Sequence, residues 1–312
     1  MVTIASETAV LTTNPAFWSI DRTPLAMSRG QRRSGAILGS VAKPDDAKRA
    51  ESRKDNGTAS LADVTGVRVL LTGGTSGLGR AMVQALVAGG ASVVFTGRDG
   101  SRGREVAEEV RRVGLGTATA IAMDVRDEES VAEGVASARE TLGAIDVLVN
   151  NAGIGMRTVN PRFLTDPRRF YEVTPAGFRD LMATNVTGYF LVARSVVPEM
   201  VAAGRGAVVN VSINEQTMRR RGFAPYGPSR AATDALSHVM AEDLAGSGVD
   251  VNLLLPGGAT ATGMIPEGFP EPMRQQLLDP AVMGPSIRWL CSPASDGHTD
   301  LRVVALDFAA PA

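Results

Sequence analysis

Val69-Leu70-Leu71-Thr72-Gly73-Gly74-Thr75-Ser76-Gly77-Leu78-Gly79-Arg80 is the stretch whose reading decides the fold. A short apolar run feeds a glycine-dense turn, and Ala81-Met82-Val83-Gln84-Ala85-Leu86-Val87 then reads as a helix. That strand–turn–helix order is the context a Gly-rich loop needs to cradle phosphate. Gly73 and Gly77 carry no Cβ, so the backbone N–H groups of the Thr75-Ser76-Gly77-Leu78 turn can approach a pyrophosphate. Gly79 lets the new helix lie close to the sheet, its positive dipole end facing the anion. The spacing is Gly-x-x-x-Gly-x-Gly rather than the commoner Gly-x-Gly-x-x-Gly. Taken alone, the loop leaves an ordinary Gly-rich turn open.

Outward from this loop the pattern repeats. Apolar runs at 67–71, 92–96, 117–123, 145–149, 207–211, 249–255 and 302–306 read as strands, several of them continuous enough to be buried on both faces. Helical periods at 79–88, 102–113, 128–142, 175–203 and 229–245 fall between them. This alternation predicts an α/β fold, a doubly wound parallel sheet in a Rossmann-type single domain spanning 61–312. Segments 154–174 and 257–285 read as loop excursions, the second of the kind used as a substrate lid. Residues 1–60 mix small, polar and charged side chains without a hydrophobic period, the composition of a disordered extension. Their basic stretch with Arg29, Arg32 and Arg33 weakly resembles a transit segment, and a true start at Met27 or later is the third reading.

The bulk numbers exclude several classes. A net charge of −1 over 312 residues gives no basic field for nucleic acid or anionic membrane. One cysteine, Cys291, excludes an internal disulfide framework, and with only His238 and His298 beside it a His/Cys metal cage is not expected. No apolar run reaches ~18 residues, so no membrane span is expected. The chain reads as a cytoplasmic protein that acts on a small molecule.

Further stretches join the loop: Met123-Asp124-Val125, Val149-Asn150-Asn151-Ala152-Gly153, Asn185 in Thr184-Asn185-Val186-Thr187-Gly188, Tyr226 through Arg230, and Pro256-Gly257. In this order the set resembles the short-chain dehydrogenase/reductase family over about residues 64–308. The resemblance implies that Gly73–Gly79 holds the cofactor phosphates and that Asp124 and Val125 grip the adenine edge. It implies that Asn151, Ala152 and Gly153 line the cofactor groove, and that Pro256 and Gly257, in the motif after the sixth strand, also bind the cofactor. At the end of the second strand, Thr96-Gly97-Arg98 stands where a carboxylate would bind the ribose 2′-OH. Gly97 offers no acid and Arg98 can fork onto a phosphate, so NADP(H) is expected over NAD(H), although Asp99 follows and a solvated Arg98 is the bland alternative.

Tyr226 and Arg230 are four apart and share a helix face. A tyrosine, with an ordinary pKa of ~10, exchanges a proton at working pH only beside a cation that favours phenolate. The resemblance makes Tyr226 the acid/base group and Arg230 its cation, where the family carries lysine. Arginine keeps the charge but is bulkier, planar and never neutral. Turnover is therefore expected to be weakened, and Arg230→Lys to raise it. The family's serine position, thirteen before Tyr226, holds Ile213, with Ser212 and Asn214 on either side; Ser212 is slightly favoured for its hydroxyl. Asn185 is implied to hold a water behind the cation. Arg219-Arg220-Arg221 reads as a solvated face or an anion contact, and Asp300 occupies a position where the family has glycine. Met156, Met218, Met264, Phe163 and Phe223 are candidate pocket or core residues. His238 sits in a helix with no acid or nucleophile expected beside it, which disfavours a Ser-His-Asp hydrolase. The resulting expectation is an NADP(H)-dependent oxidoreductase for a secondary alcohol or ketone. The alternative is a cofactor-binding sensor or scaffold. Small and apolar residues on 175–203 and 229–245 (Ala183, Val186, Ala231, Ala232, Ala235) suggest a homodimer or homotetramer.

Overall fold

The computed structural model describes residues 62–112, 114–266, 269 and 271–310. The N-terminal extension lies outside the described residues. Seven strands form one all-parallel sheet: β1 (Arg68–Leu71), β2 (Ser92–Gly97), β3 (Thr117–Ala122), β4 (Val147–Asn150), β5 (Gly206–Val211), β6 (Val249–Leu255) and β7 (Arg302–Val304). They lie in the order β3-β2-β1-β4-β5-β6-β7. The order reverses between β1 and β4, and a doubly wound sheet opens its ligand crevice at such a point.

Side-chain alternation sends each strand's residues to two separate cores. Val69 and Leu71 of β1, Val93 and Phe95 of β2, and Val209 and Val211 of β5 face one layer. That layer contains helix α1 (Gly77–Ala88), α2 (Gly100–Arg111) and α9 (Gly284–Leu290). Leu70, Val94 and Val208 face the other. There they meet α3 (Glu128–Leu142), α5 (Gly188–Ala203) and α7 (Tyr226–Asp243). At the base of the switch point, Arg68 of β1 forks onto Asp146 just before β4, at 2.7 and 2.6 Å.

Local chemistry sets the element ends. Asp99 caps α2 by accepting from the Ser101 and Arg102 amides, and Asp127 caps α3 through the Ser130 amide. The helix α7 starts at Tyr226, earlier than the apolar period at 229 indicates. Gly227 permits this, because a Cβ there would come within 1.9 Å of the Met218 carbonyl at the end of the short helix α6 (Glu215–Met218).

The segment 175–203, read as one helix, is α4 (Pro175–Met182), a π-helical turn (Ala183–Thr187) and α5. By length and composition alone Pro175–Ala203 could cross a membrane, with a mean hydropathy of 1.2 over its 18-residue apolar window. Its apolar residues Leu191, Val192, Val196 and Met200 are instead buried against the sheet. Among its described residues the 257–285 excursion contains the short helix α8 (Glu271–Arg274) and a 3₁₀ turn (Pro280–Met283), and it ends at α9, whose Ile287, Trp289 and Leu290 are buried. A seven-residue helix shows too little period to be seen in advance.

Candidate active site

A cleft of about 590 Å³ opens at the carboxyl ends of β1, β2, β4, β5 and β6. One half is built from backbone. The Thr72 hydroxyl accepts from the Asn151 and Ala152 amides, both at 3.0 Å. The Asn151 side chain donates back to the Thr72 and Gly73 carbonyls, also at 3.0 Å. These bonds staple the Asn-Asn-Ala-Gly turn to the glycine loop. Gly73 has φ +71°, and a Cβ on Gly79 would lie 2.1 Å from the Gly73 carbonyl oxygen. The Ser76 side chain makes no cap bond to α1, so the first amides of that helix face the cleft with their dipole. This cradle has the shape and polarity for a pyrophosphate.

At the β2 end of the cleft, a Cβ on Gly97 would meet the Thr75 side chain at 2.5 Å, so a carboxylate residue at that position would require Thr75 to shift. Arg98 is exposed and lines the cleft, whereas Asp99 is turned into the α2 cap. The Asp124 carboxylate is clasped by Arg126, whose Nε and Nη2 lie 3.0 and 2.6 Å from it. Those hydrogen bonds hold Asp124 below the usual carboxylate range, outweighing its partial burial. Val125, Pro256 and Gly257 complete the wall.

The other half is built from side chains. Tyr226 is half-buried and lines the cleft. Arg230, one turn on, is 2% exposed. Its Nη1 donates to the Tyr189 hydroxyl at 3.0 Å and to the Val211 carbonyl at 2.9 Å. The guanidinium carbon is 5.6 Å from both the Tyr189 and Tyr226 ring centres. Burial disfavours its charge, yet the two phenols hold its pKa above the ordinary value. Its Nε is buried without a hydrogen-bond partner. Gly153 makes room for the guanidinium, since a Cβ there would stand 2.4 Å from Nη2.

The two residues flanking Ile213 part company. The Ser212 hydroxyl donates to Asp234 of α7, whose other oxygen takes Arg302 of β7. Its only proton is therefore engaged, and the slight preference for Ser212 as carbonyl donor does not fit this arrangement. Asn214 lines the cleft and spends its carbonyl oxygen on the Thr217 amide at 2.9 Å, leaving its NH₂ group as a donor. Asn185, in the π turn, is fully buried behind the cleft. It receives the Ile154 amide at 2.9 Å and donates to the Ile154 carbonyl and the Ser229 hydroxyl. It ties the β4 loop to α7 directly.

Met156, Phe163, Phe223 and Met264 line the cleft, and Met218 is not among its lining residues. Arg220 of the basic run also reaches the cleft, its guanidinium 5.1 Å from the Phe223 ring centre. His238 does have an acid beside it: Asp300, in the left-handed region at φ +57°, pairs with its Nδ1. An aspartate tolerates that backbone better than most residues. Sequence reasoning missed Tyr189, which is hidden in an apolar helix, and the Asp234–Arg302 pair. A phenol inside an apolar run is itself a signal, because a buried hydroxyl needs a partner.

The model of the short chain dehydrogenase family matches residues 68–271. Gluconate 5-dehydrogenase of Gluconobacter oxydans is 34% identical over 197 residues, covering 63% of this chain and 73% of its own. The structure of a Brucella melitensis 3-ketoacyl-(acyl-carrier-protein) reductase complexed with NADH superposes with TM-score 0.67 at 29% identity, over 78% of this chain and 97% of its own. A Beutenbergia cavernae structure described as an NAD(P)-dependent gluconate 5-dehydrogenase, with bound NADP, gives TM-score 0.68 at 28% identity, over 78% and 96%.

Proposed function

Because the chain belongs to the short-chain dehydrogenase family and is an oxidoreductase of the nicotinamide-dependent kind, we propose that it interconverts a secondary alcohol and a ketone, with Tyr226 as acid/base group and NADP(H) as preferred cofactor. The observation that carries this reading is that the Tyr226 phenol, the Arg230 cation and the glycine cradle open on one cleft. The nicotinamide cofactor, when bound, supplies or accepts the hydride.

The chain's own residues do the rest. The Gly73–Gly79 turn and the first amides of α1 hold the pyrophosphate, and Asp124, Val125, Asn151, Ala152, Gly153, Pro256 and Gly257 wall the groove. Arg230 would stand between Tyr226 and the nicotinamide ribose, its guanidinium carbon 5.6 Å from the Tyr226 ring centre, where its charge favours phenolate. Tyr226 gives its proton to the carbonyl oxygen in reduction and takes it back in oxidation. The free NH₂ of Asn214 steadies that oxygen. Arg98, beside a β2 end with no carboxylate, pairs with a 2′-phosphate.

The test is NADPH oxidation over a panel of ketones, with NADPH and NADH binding measured alongside. Turnover with tighter NADPH binding is expected. Binding with no turnover of any ketone or alcohol would move the protein to the sensor reading. Two further proposals concern the whole chain. Residues 1–60 are dispensable for folding of the 61–312 domain, so their deletion should leave the thermal midpoint unchanged. The exposed apolar line Ala231, Ala235 and Val239 on α7, with Phe190 on α5, fits a homo-oligomer.

A further inference from the structure

Arg230 is a buried cation with no carboxylate in salt-bridge contact among the described residues. Taking a charge out of water is costly, and the usual remedy is an acid nearby. One stands in the natural place: Asp234 is a single turn further along α7. Its carboxylate, however, is held by Arg302 and the Ser212 hydroxyl. Arg230 is left with the Val211 carbonyl and two phenols, Tyr226 on its own helix and Tyr189 on α5.

The two phenols are not equivalent. Tyr189 is 1% exposed, and burial pushes its pKa up despite the adjacent guanidinium. It stays a neutral hydroxyl, donating to the Val211 carbonyl at 3.2 Å while accepting from Arg230 Nη1. Tyr226 opens on the cleft. With Nη1 held by two acceptors and Nη2 lodged against Gly153, the guanidinium has one place to be.

We infer that Tyr189 is a positioning residue, fixing the Arg230 guanidinium beside Tyr226 so that arginine serves at a position shaped for it. The inference rests on Tyr226 being the acid/base group. It reverses the expectation that Arg230→Lys raises the rate. A lysine ammonium would not span the same ground, and would abandon the Tyr189 oxygen and the space beside Gly153.

The test uses the full chain and the variants Y189F, R230K and Y189F/R230K. The chain has three tyrosines, Tyr171, Tyr189 and Tyr226, so near-ultraviolet titration of tyrosinate, with Y226F as the reference, follows one phenol without any substrate. The ionisation that Y226F removes should move to higher pH in Y189F, because the opposite charge beside it loses its placement. In alcohol oxidation with NADP⁺, using the secondary alcohol that corresponds to a ketone turned over in the panel, the rising limb of the pH–rate profile should move the same way. Turnover should drop roughly tenfold, with NADPH affinity within about threefold of the original. R230K should lose rate, and Y189F/R230K should be no worse than R230K alone, because the two residues act as a unit.

An unmoved ionisation and pH profile in Y189F would overturn the inference, as would losses that simply multiply in the double variant. If Y189F does not fold, Y189M fills the space without a hydroxyl and is read in the same way. Failure of the acid/base reading is a separate result: Y226F would then keep its turnover.

Discussion

The two halves of the cleft are built by different means. On the cofactor side, the structure depends on what side chains leave out. Gly73, Gly79 and Gly97 are places where a Cβ would strike backbone or a neighbour within 2.7 Å or less, and Thr72 and Asn151 clamp the turn by each bonding the other's main chain. On the proton side, every function depends on a side chain reaching another across elements: Arg230 to Tyr189, Ser212 to Asp234, Asn185 to Ser229. A backbone cradle admits few solutions, because close approach fixes where its glycines must stand. A side-chain constellation can be solved in more than one way, and the inference above makes Arg230 with a second tyrosine, Tyr189, the solution around Tyr226.

The sharpest break of this contrast is Tyr226→Phe. It should lower turnover by roughly 10² or more while NADPH binding survives, measured as initial rates beside a binding titration. The opposite break is Gly79→Ala. Its methyl would lie 2.1 Å from the Gly73 carbonyl oxygen and 2.5 Å from the Asn151 side-chain nitrogen, so the turn must shift. NADPH affinity should drop by at least about tenfold, with the near-ultraviolet tyrosine signals of the proton side unchanged. An affinity equal to the parent's would show that the cradle is softer than its contacts imply.

Arg98→Ala tests whether specificity also belongs to the cofactor side. The NADPH-over-NADH preference should shrink by about 1–3 kcal/mol in paired binding measurements, with NADH affinity nearly constant. The smallest effect is in the frame shared by both halves. Burial works to raise the Asp146 pKa, but the Arg68 side-chain and backbone hydrogen bonds outweigh it and hold it below the carboxylate norm. A carboxylate depressed in the folded state contributes stability above its unfolded pKa of ~3.9, lost as pH falls through the folded value. Asp146→Asn should therefore cost on the order of 1 kcal/mol at neutral pH and flatten the acid side of the thermal-midpoint curve. A variant whose curve steepens in acid would contradict this assignment.

From the sequence alone, the seven strands and the order of motifs were legible, because buried parallel strands are continuous apolar runs and a glycine turn is local chemistry. Val249–Leu255 and Glu128–Leu142 fall where their apolar patterns put them. That Gly97 and Arg98 stand together at the cleft could likewise be read, since they are adjacent in the chain. Only the tertiary structure decided what Ser212, Asn185, His238 and Arg230 touch. Their partners (Asp234, Ile154, Asp300 and Tyr189) are 22, 31, 62 and 41 residues away along the chain. No local period encodes such distances. The Ser212 hydroxyl gives no hint that an aspartate two turns along α7 from Tyr226 will claim its proton. Nor does an arginine four residues after a tyrosine announce the buried phenol that holds it. Pairings of this kind are settled by which side chains the sheet and its two helical layers bring together, since a buried donor or charge must find its partner wherever the fold has left one.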